Sequence, residues 1–251
     1  MFENEIRVAT GDGEMTTFVA HPDGDGPFPV AVLYMDGVGY RDQVKENARR
    51  FAADGYYVVA PDLFYRSGDK LSFDFTRMGD EDYRARLMEV VSSVTPDAAM
   101  RDTRAILDAI ADDPAASSGA KVCVGYCMGA RIALRFASTF PGEVAAAAGI
   151  HPGALVTDEA DSPHHDLASV AGELYFAFAE NDHSATPENV ERFRDEIDAQ
   201  NVKGVVERLP GTSHGFAMAD LPVHDRDAAE RHFEQTLELW RRSLSQQPVG
   251  V

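Results

Sequence analysis

The sequence predicts an α/β fold: a mostly parallel central sheet with helices on both faces. Short apolar runs alternate with helix-period segments for nearly the whole chain. Strands spaced by helical segments of about 10–15 residues build βαβ units, and such units build parallel sheets. Runs such as PVAVLYM at 29–35 and YYVVAP at 56–61 are apolar at almost every position. Strands covered on both faces read this way, whereas half-exposed strands alternate. The 251 residues, 44% hydrophobic, suffice for one large core, and no repeat or low-complexity linker interrupts them. One domain over residues 1–251 is therefore expected.

Each element has its own signal. Residues 5–9 and 15–20 flank Gly11-Asp12-Gly13, a hairpin turn. The buried strand at 29–35 is followed by a helix at 42–54 that Gly55 stops. Pro61 ends the next strand, 56–61. Apolar spacing at Ile106, Leu107 and Ile110 marks an amphipathic helix over 97–112. Strands follow at 121–126, 144–150, 172–179 and 204–210, with helices at 128–138, 187–199 and 226–245. The stretch 64–96 is the least regular and is expected to pack as a cap or lid. The end, SQQPVGV, reads as a frayed tail.

The formal charge of -19 argues against nucleic-acid binding, which needs clustered Lys and Arg, and against an anionic membrane surface. No apolar run of about 18 residues is present, and MFENEIRVATGDGEM has neither an apolar core nor a basic leader. A soluble, acidic, cytoplasmic protein is expected. Two cysteines make no disulfide framework. Neither H-E-x-x-H nor C-x-x-C spacing occurs, and no P-loop, so metal and phosphate chemistry are not expected.

In an open parallel sheet, chemistry gathers at the carboxyl ends of the strands. Gly125-Tyr126-Cys127-Met128-Gly129 lies between a strand and a helix. It is a G-x-S-x-G nucleophile elbow with Cys for Ser. The helix N-terminus favours a thiolate at Cys127, and the Met128 N–H is placed as an oxyanion donor. The competing reading is an inert cysteine at a tight turn; Cys123, alternating with valines, is read as core. A base is expected after the last strand, where His214 stands between Gly211 and Phe216; the plain alternative is a surface-loop histidine. The orienting acid is expected after the strand 172–179. Asp182 is the choice, Glu180 the competitor, and a helix-capping carboxylate the alternative. Gly37, after the first buried strand, is the second oxyanion donor; Asp36 beside it reads equally as a turn residue. His21, His164, His165, His224 and His232 are expected to face solvent.

Together VLYMDGVG, FAADGYYVVAPDLFYR, GYCMGAR, AENDHSATP and SHGF resemble the dienelactone hydrolase family, from about residue 14 to 242. The resemblance implies a single α/β-hydrolase domain without cofactor or metal. It implies hydrolysis of a lactone or carboxylic ester, the carboxymethylenebutenolidase type of reaction, by a Cys–His–Asp triad. Residue by residue, Cys127 is then nucleophile, His214 base and Asp182 acid. The best-known members carry an acid, usually Glu, after the first buried strand, which holds the resting Cys as a thiol. Asp36 stands there, one methylene shorter. Members that act on dienelactone clamp its carboxylate with two arginines. Arg84 takes one place, but Met218 takes the other. Losing one charged hydrogen bond costs roughly 1.5–3 kcal/mol of binding. Arg66, at a strand end, is placed to replace that charge or to form a structural ion pair. His151, Tyr126 and Phe216 are expected pocket neighbours. The expected partner is a small-molecule ester or lactone, with no nucleic acid and no membrane, and the chain is a monomer or small homo-oligomer. Two other readings share the site: a non-catalytic ligand-binding or thiol-sensing relative, and a Cys-dependent acyl transferase or thioesterase.

Overall fold

The structure, a computed structural model, describes residues 1–160 and 162–246, so most of the expected tail lies outside the described residues. The chain divides into two compact units, Met1–Ser118 and the part from Gly119 on, each carrying four strands.

In the first unit, β1 (Phe2–Thr10) and β2 (Gly13–His21) form the expected antiparallel hairpin, with Thr10 opposite Gly13. Strands β3 (Val30–Tyr34) and β4 (Tyr57–Pro61) are parallel, and the strand order is β1-β2-β4-β3. Every residue of β3 and β4 is buried, as their continuous apolar runs require. Helix α1 (Asp42–Ala53) connects them and buries Val44, Ala48, Phe51 and Ala52, one stripe at helical spacing. It ends at Gly55, whose φ of 102° suits only glycine without strain.

The 64–96 stretch is more ordered than its sequence suggests. It holds a short 3₁₀ turn, Phe75–Arg77, and a 13-residue helix, α2 (Glu81–Ser93). The Asp80 side chain caps α2 by accepting from the Tyr83 N–H. Only Val90 of α2 is buried, so no apolar stripe announces the helix. The stretch packs on the loop after β3: Tyr40 N–H donates to Leu71 O, and Phe73 N–H to Val38 O. Next comes α3 (Pro96–Ala109), capped by Thr95, with Pro96 in its first turn. Its Thr103 hydroxyl bonds the Tyr34 hydroxyl at 2.9 Å, fixing helix to strand.

The second unit is the parallel part. Strands β5 (Lys121–Tyr126), β6 (Val144–Ile150), β7 (Glu173–Asn181) and β8 (Gly204–Ser213) lie side by side in that order. Helices α4 (Met128–Thr139), α5 (Pro187–Ala199) and α6 (Arg226–Ser245) connect or follow them. All seven residues of β6 are buried. Three histidines expected at the surface are instead inside: His21, His164 and His232 are 9%, 5% and 0% exposed. His232 belongs to the buried α6 face with Ala228, Ala229, Thr236 and Leu239, and it bonds the Tyr126 hydroxyl at 3.1 Å. His164 bonds the Ser162 hydroxyl at 2.7 Å, and His21 lies between the rings of Phe2 and Tyr57. A histidine with a partner is cheap to bury, which a one-residue view of the sequence misses. Among the described residues no helix is long and apolar enough to cross a membrane.

Candidate active site

The turn between β5 and α4 is as tight as its glycine pattern predicts. A Cβ on Gly125 would lie 2.0 Å from Gly129 O and 2.6 Å from Ala130 N, so strand and helix backbones meet there. Cys127, between them, has φ +53° and ψ -114°, a conformation that side-chain-bearing residues rarely adopt. It is held from both sides: its N–H donates to Ile150 O at 3.0 Å, and its carbonyl accepts from the Ala130 N–H at 3.1 Å. The sulfur thus projects at the N-terminal end of α4, where the helix dipole favours negative charge. Met128 is the first residue of α4, so no helix carbonyl accepts its N–H.

Strand register brings the partners together. Asn181 of β7 pairs with Ser213 of β8, so the next residues on each, Asp182 and His214, emerge side by side. His214 Nδ1 lies 2.6 Å from Asp182 Oδ2, and His214 Nε2 lies 2.9 Å from Cys127 Sγ. The Asp182 side chain is buried, 3% exposed, while a third of the His214 side chain is open. Glu180, the competitor, faces away: its carboxylate accepts the Gly211 N–H at 2.8 Å. Ser184 had escaped the sequence reading. Its N–H and hydroxyl both donate to Asp182 Oδ1, at 2.8 and 2.7 Å, leaving Oδ2 for the histidine. The readable signal was Asp-x-Ser, a pattern in which the aspartate closes a turn on the backbone two residues on.

The charges follow from these contacts. Burial disfavours the imidazolium, but Cys127 and the Asp182 hydrogen bond outweigh it and push the His214 pKa up to about 10. For Asp182 burial again opposes the charged form, yet His214 and Ser184 hold it below the usual carboxylate range. Cys123 behaves as core: it is fully buried, and burial pushes its thiol pKa up.

The profile of the Dienelactone hydrolase family matches residues 15–244. The chain belongs to that family. A relative from Escherichia coli named "Putative carboxymethylenebutenolidase" is 27% identical over 236 residues, spanning 91% of this chain and 82% of that one. The carboxymethylenebutenolidase of a Pseudomonas species is 25% identical over 243 residues, 97% of this chain and 95% of that one. A solved dienelactone hydrolase-like promiscuous phosphotriesterase from metagenomic libraries shares the fold. Its TM-score is 0.77 at 21% identity, covering 96% of this chain and 98% of that one. As a dienelactone hydrolase family member, the chain is a carboxylic ester hydrolase.

The other residues that the family resemblance singled out are placed as follows. Asp36 and Gly37 lie on the loop after β3. Both Asp36 oxygens are engaged in a fork with Arg41, at 2.6 and 2.9 Å, and one also accepts the Val38 N–H. The pair is largely buried, 12% and 4% exposed, so the carboxylate is committed to a neighbour that the sequence reading had not considered. Gly37 is half-buried, with Val91 of α2 3.2 Å from where a Cβ would stand. Arg84 is exposed on α2, its nearest acceptor being Met78 O at 3.5 Å. Met218, in the place of the second clamping arginine, is wholly buried. Arg66 grips Asp102 at 2.7 Å and Asp12 at 2.6 Å while stacking on Tyr65, the structural ion pair of its two readings. His151, Tyr126 and Phe216 are each 0% exposed. The His151 ring packs edge-on to His214 at 5.4 Å and to Phe216 at 5.2 Å, so these side chains back the imidazole from within.

Proposed function

We propose that the chain hydrolyses a lactone or carboxylic ester through Cys127, His214 and Asp182, with the Met128 N–H receiving the oxyanion. The observation that carries this reading is the unbroken chain Asp182–His214–Cys127, 2.6 and 2.9 Å long, at the carboxyl ends of three parallel strands. Cys127 Sγ attacks the carbonyl carbon, and the oxyanion forms beside the α4 N-terminus. The C–O bond then breaks, and the leaving oxygen takes the proton from His214 Nε2. That leaves a thioester on Cys127. Water, deprotonated by His214, attacks the thioester, the carboxylic acid departs and the thiolate–imidazolium pair returns. Asp182, held by Ser184, keeps Nδ1 protonated so that Nε2 faces sulfur throughout. No cofactor enters these steps. One family match running through both units, residues 15–244, supports reading the chain as a single domain. The substrate is a small molecule, and the enzyme acts in the cytoplasm.

Cys127→Ala tests the reading. Turnover of p-nitrophenyl acetate or an enol-lactone should fall at least about 10³-fold, with the denaturation midpoint little changed. Retained turnover in that variant would refute the assignment.

A further inference from the structure

Among the glycines of the second unit, Gly153 stands apart. At Gly125 and Gly149 an added Cβ would strike a neighbour at 2.0 and 2.2 Å, so packing itself demands glycine. At Gly153 the Cβ would lie 3.5 Å from His214 Cε1 and 3.7 Å from both Cys127 Sγ and Ser184 Oγ. These are ordinary contact distances, and a methyl there displaces nothing. Its φ lies outside the left-handed region, so backbone conformation does not demand glycine either. Its N–H approaches Cys127 O at 3.4 Å, which keeps the residue over the elbow. Neither the fold nor the backbone needs this position to be bare.

We propose that Gly153 determines specificity for the leaving group, whose alcohol portion occupies the space over it. The inference rests on Cys127 as the nucleophile and extends that reading to substrate choice. The leaving oxygen must collect its proton from His214 Nε2, so it lies on the imidazole side of sulfur. The space over Gly153 touches both sulfur and Cε1, the ring atom bonded to Nε2. The oxyanion instead belongs at the α4 N-terminus. Ser184 Oγ gives its proton to Asp182, so its lone pairs are left to accept from the departing hydroxyl. In a lactone the leaving oxygen stays tethered to the acyl carbon, and the ring itself must enter this space. A single methyl added here therefore competes with substrate and with nothing in the protein.

The test is Gly153→Ala, with Gly153→Ser as a larger step, assayed on two ester series. One lengthens the alcohol on a fixed acetyl group; the other lengthens the acyl chain on a fixed methanol. The expected result is a loss of kcat/KM that grows to about 10–100-fold along the alcohol series, steeper for Ser than for Ala. Along the acyl series the loss should stay small and uniform. Equal losses in both series, or none, would overturn the inference while leaving the triad reading intact. A variant that fails to fold would overturn it too, because the space would then belong to the packing. Wild-type enzyme inactive on both series, on p-nitrophenyl acetate and on an enol-lactone would remove the triad reading and this one together. Iodoacetamide inactivation rates and denaturation midpoints on each variant report whether the Cys127–His214 pair and the fold are preserved.

Discussion

His214 shows how neighbours override burial. A partly buried imidazole would ordinarily lose its proton more readily, yet the facing sulfur and the Asp182 carboxylate push its pKa from 6.5 up to about 10. A raised pKa means that the charged ring stabilises the fold fully below pH 6.5, and that this contribution fades as pH climbs through about 10. The His214 ring signals in NMR should therefore report imidazolium at neutral pH and titrate only near that upper value. Asp182→Asn should bring the midpoint down; an unmoved midpoint would deny Asp182 its electrostatic part. The difference in unfolding free energy between wild type and His214→Gln should be largest below pH 6.5 and shrink toward pH 10. The three residues that meet here were legible in the sequence because each follows a strand. The sequence favoured Asp182 over Glu180 by position; what it did not show is the geometry that turns Asp182 toward the imidazole, set by Ser184 on one side and, for Glu180, by the Gly211 N–H on the other.

At the scale of elements, the elbow is the junction where local sequence and packing agree most closely. Gly125→Ala would drive a methyl to 2.0 Å from the Gly129 carbonyl, and only backbone movement relieves that. We expect a loss of at least about 1–3 kcal/mol in chemical denaturation, with much slower alkylation of Cys127 as the elbow shifts. Unchanged stability and alkylation would mean that β5 and α4 do not constrain Cys127. Most strand and helix boundaries of the second unit were readable to within a residue, because strands buried on both faces are continuous apolar runs and amphipathic helices fill the gaps; β7 and β8 run on past the expected 179 and 210 to Asn181 and Ser213. Helix α2 was not readable: its cap and acidic first turn are ordinary start signals, but a helix with one buried residue carries no periodicity. The burial of His232 was readable in principle, since it falls on the apolar spacing of α6.

The whole chain carries 42 acidic against 23 basic residues. In the first unit many of the basic ones are already engaged, in Arg7–Asp69, Lys45–Glu5, Arg49–Glu3 and Arg66 between Asp12 and Asp102. The exposed ones, such as Arg7–Asp69, add little, while the excess acids repel one another. Salt should therefore stabilise the protein: the thermal midpoint is expected to rise between about 10 mM and 0.5 M NaCl as the screening length falls below roughly 10 Å. A falling midpoint would show that the ion pairs outweigh the repulsion. The same acidity bears on substrate. Of the cations expected to attract a carboxylate, Arg66 is committed to two aspartates, while Arg84 stays exposed on α2. Sequence alone determined the α/β class, the order of the strands and helices, and which side chains follow the strand ends, Cys127, Asp182 and His214 among them. These are properties of local periodicity and of what stands next to each strand end. Only the tertiary structure decided that Asp182 meets His214, that Arg41 captures Asp36, that Ser184 holds the acid, and that Gly153 leaves the sulfur open. Each of those depends on side chains from distant segments meeting at distances of a few ångströms, which strand register and helix packing set and no local pattern encodes.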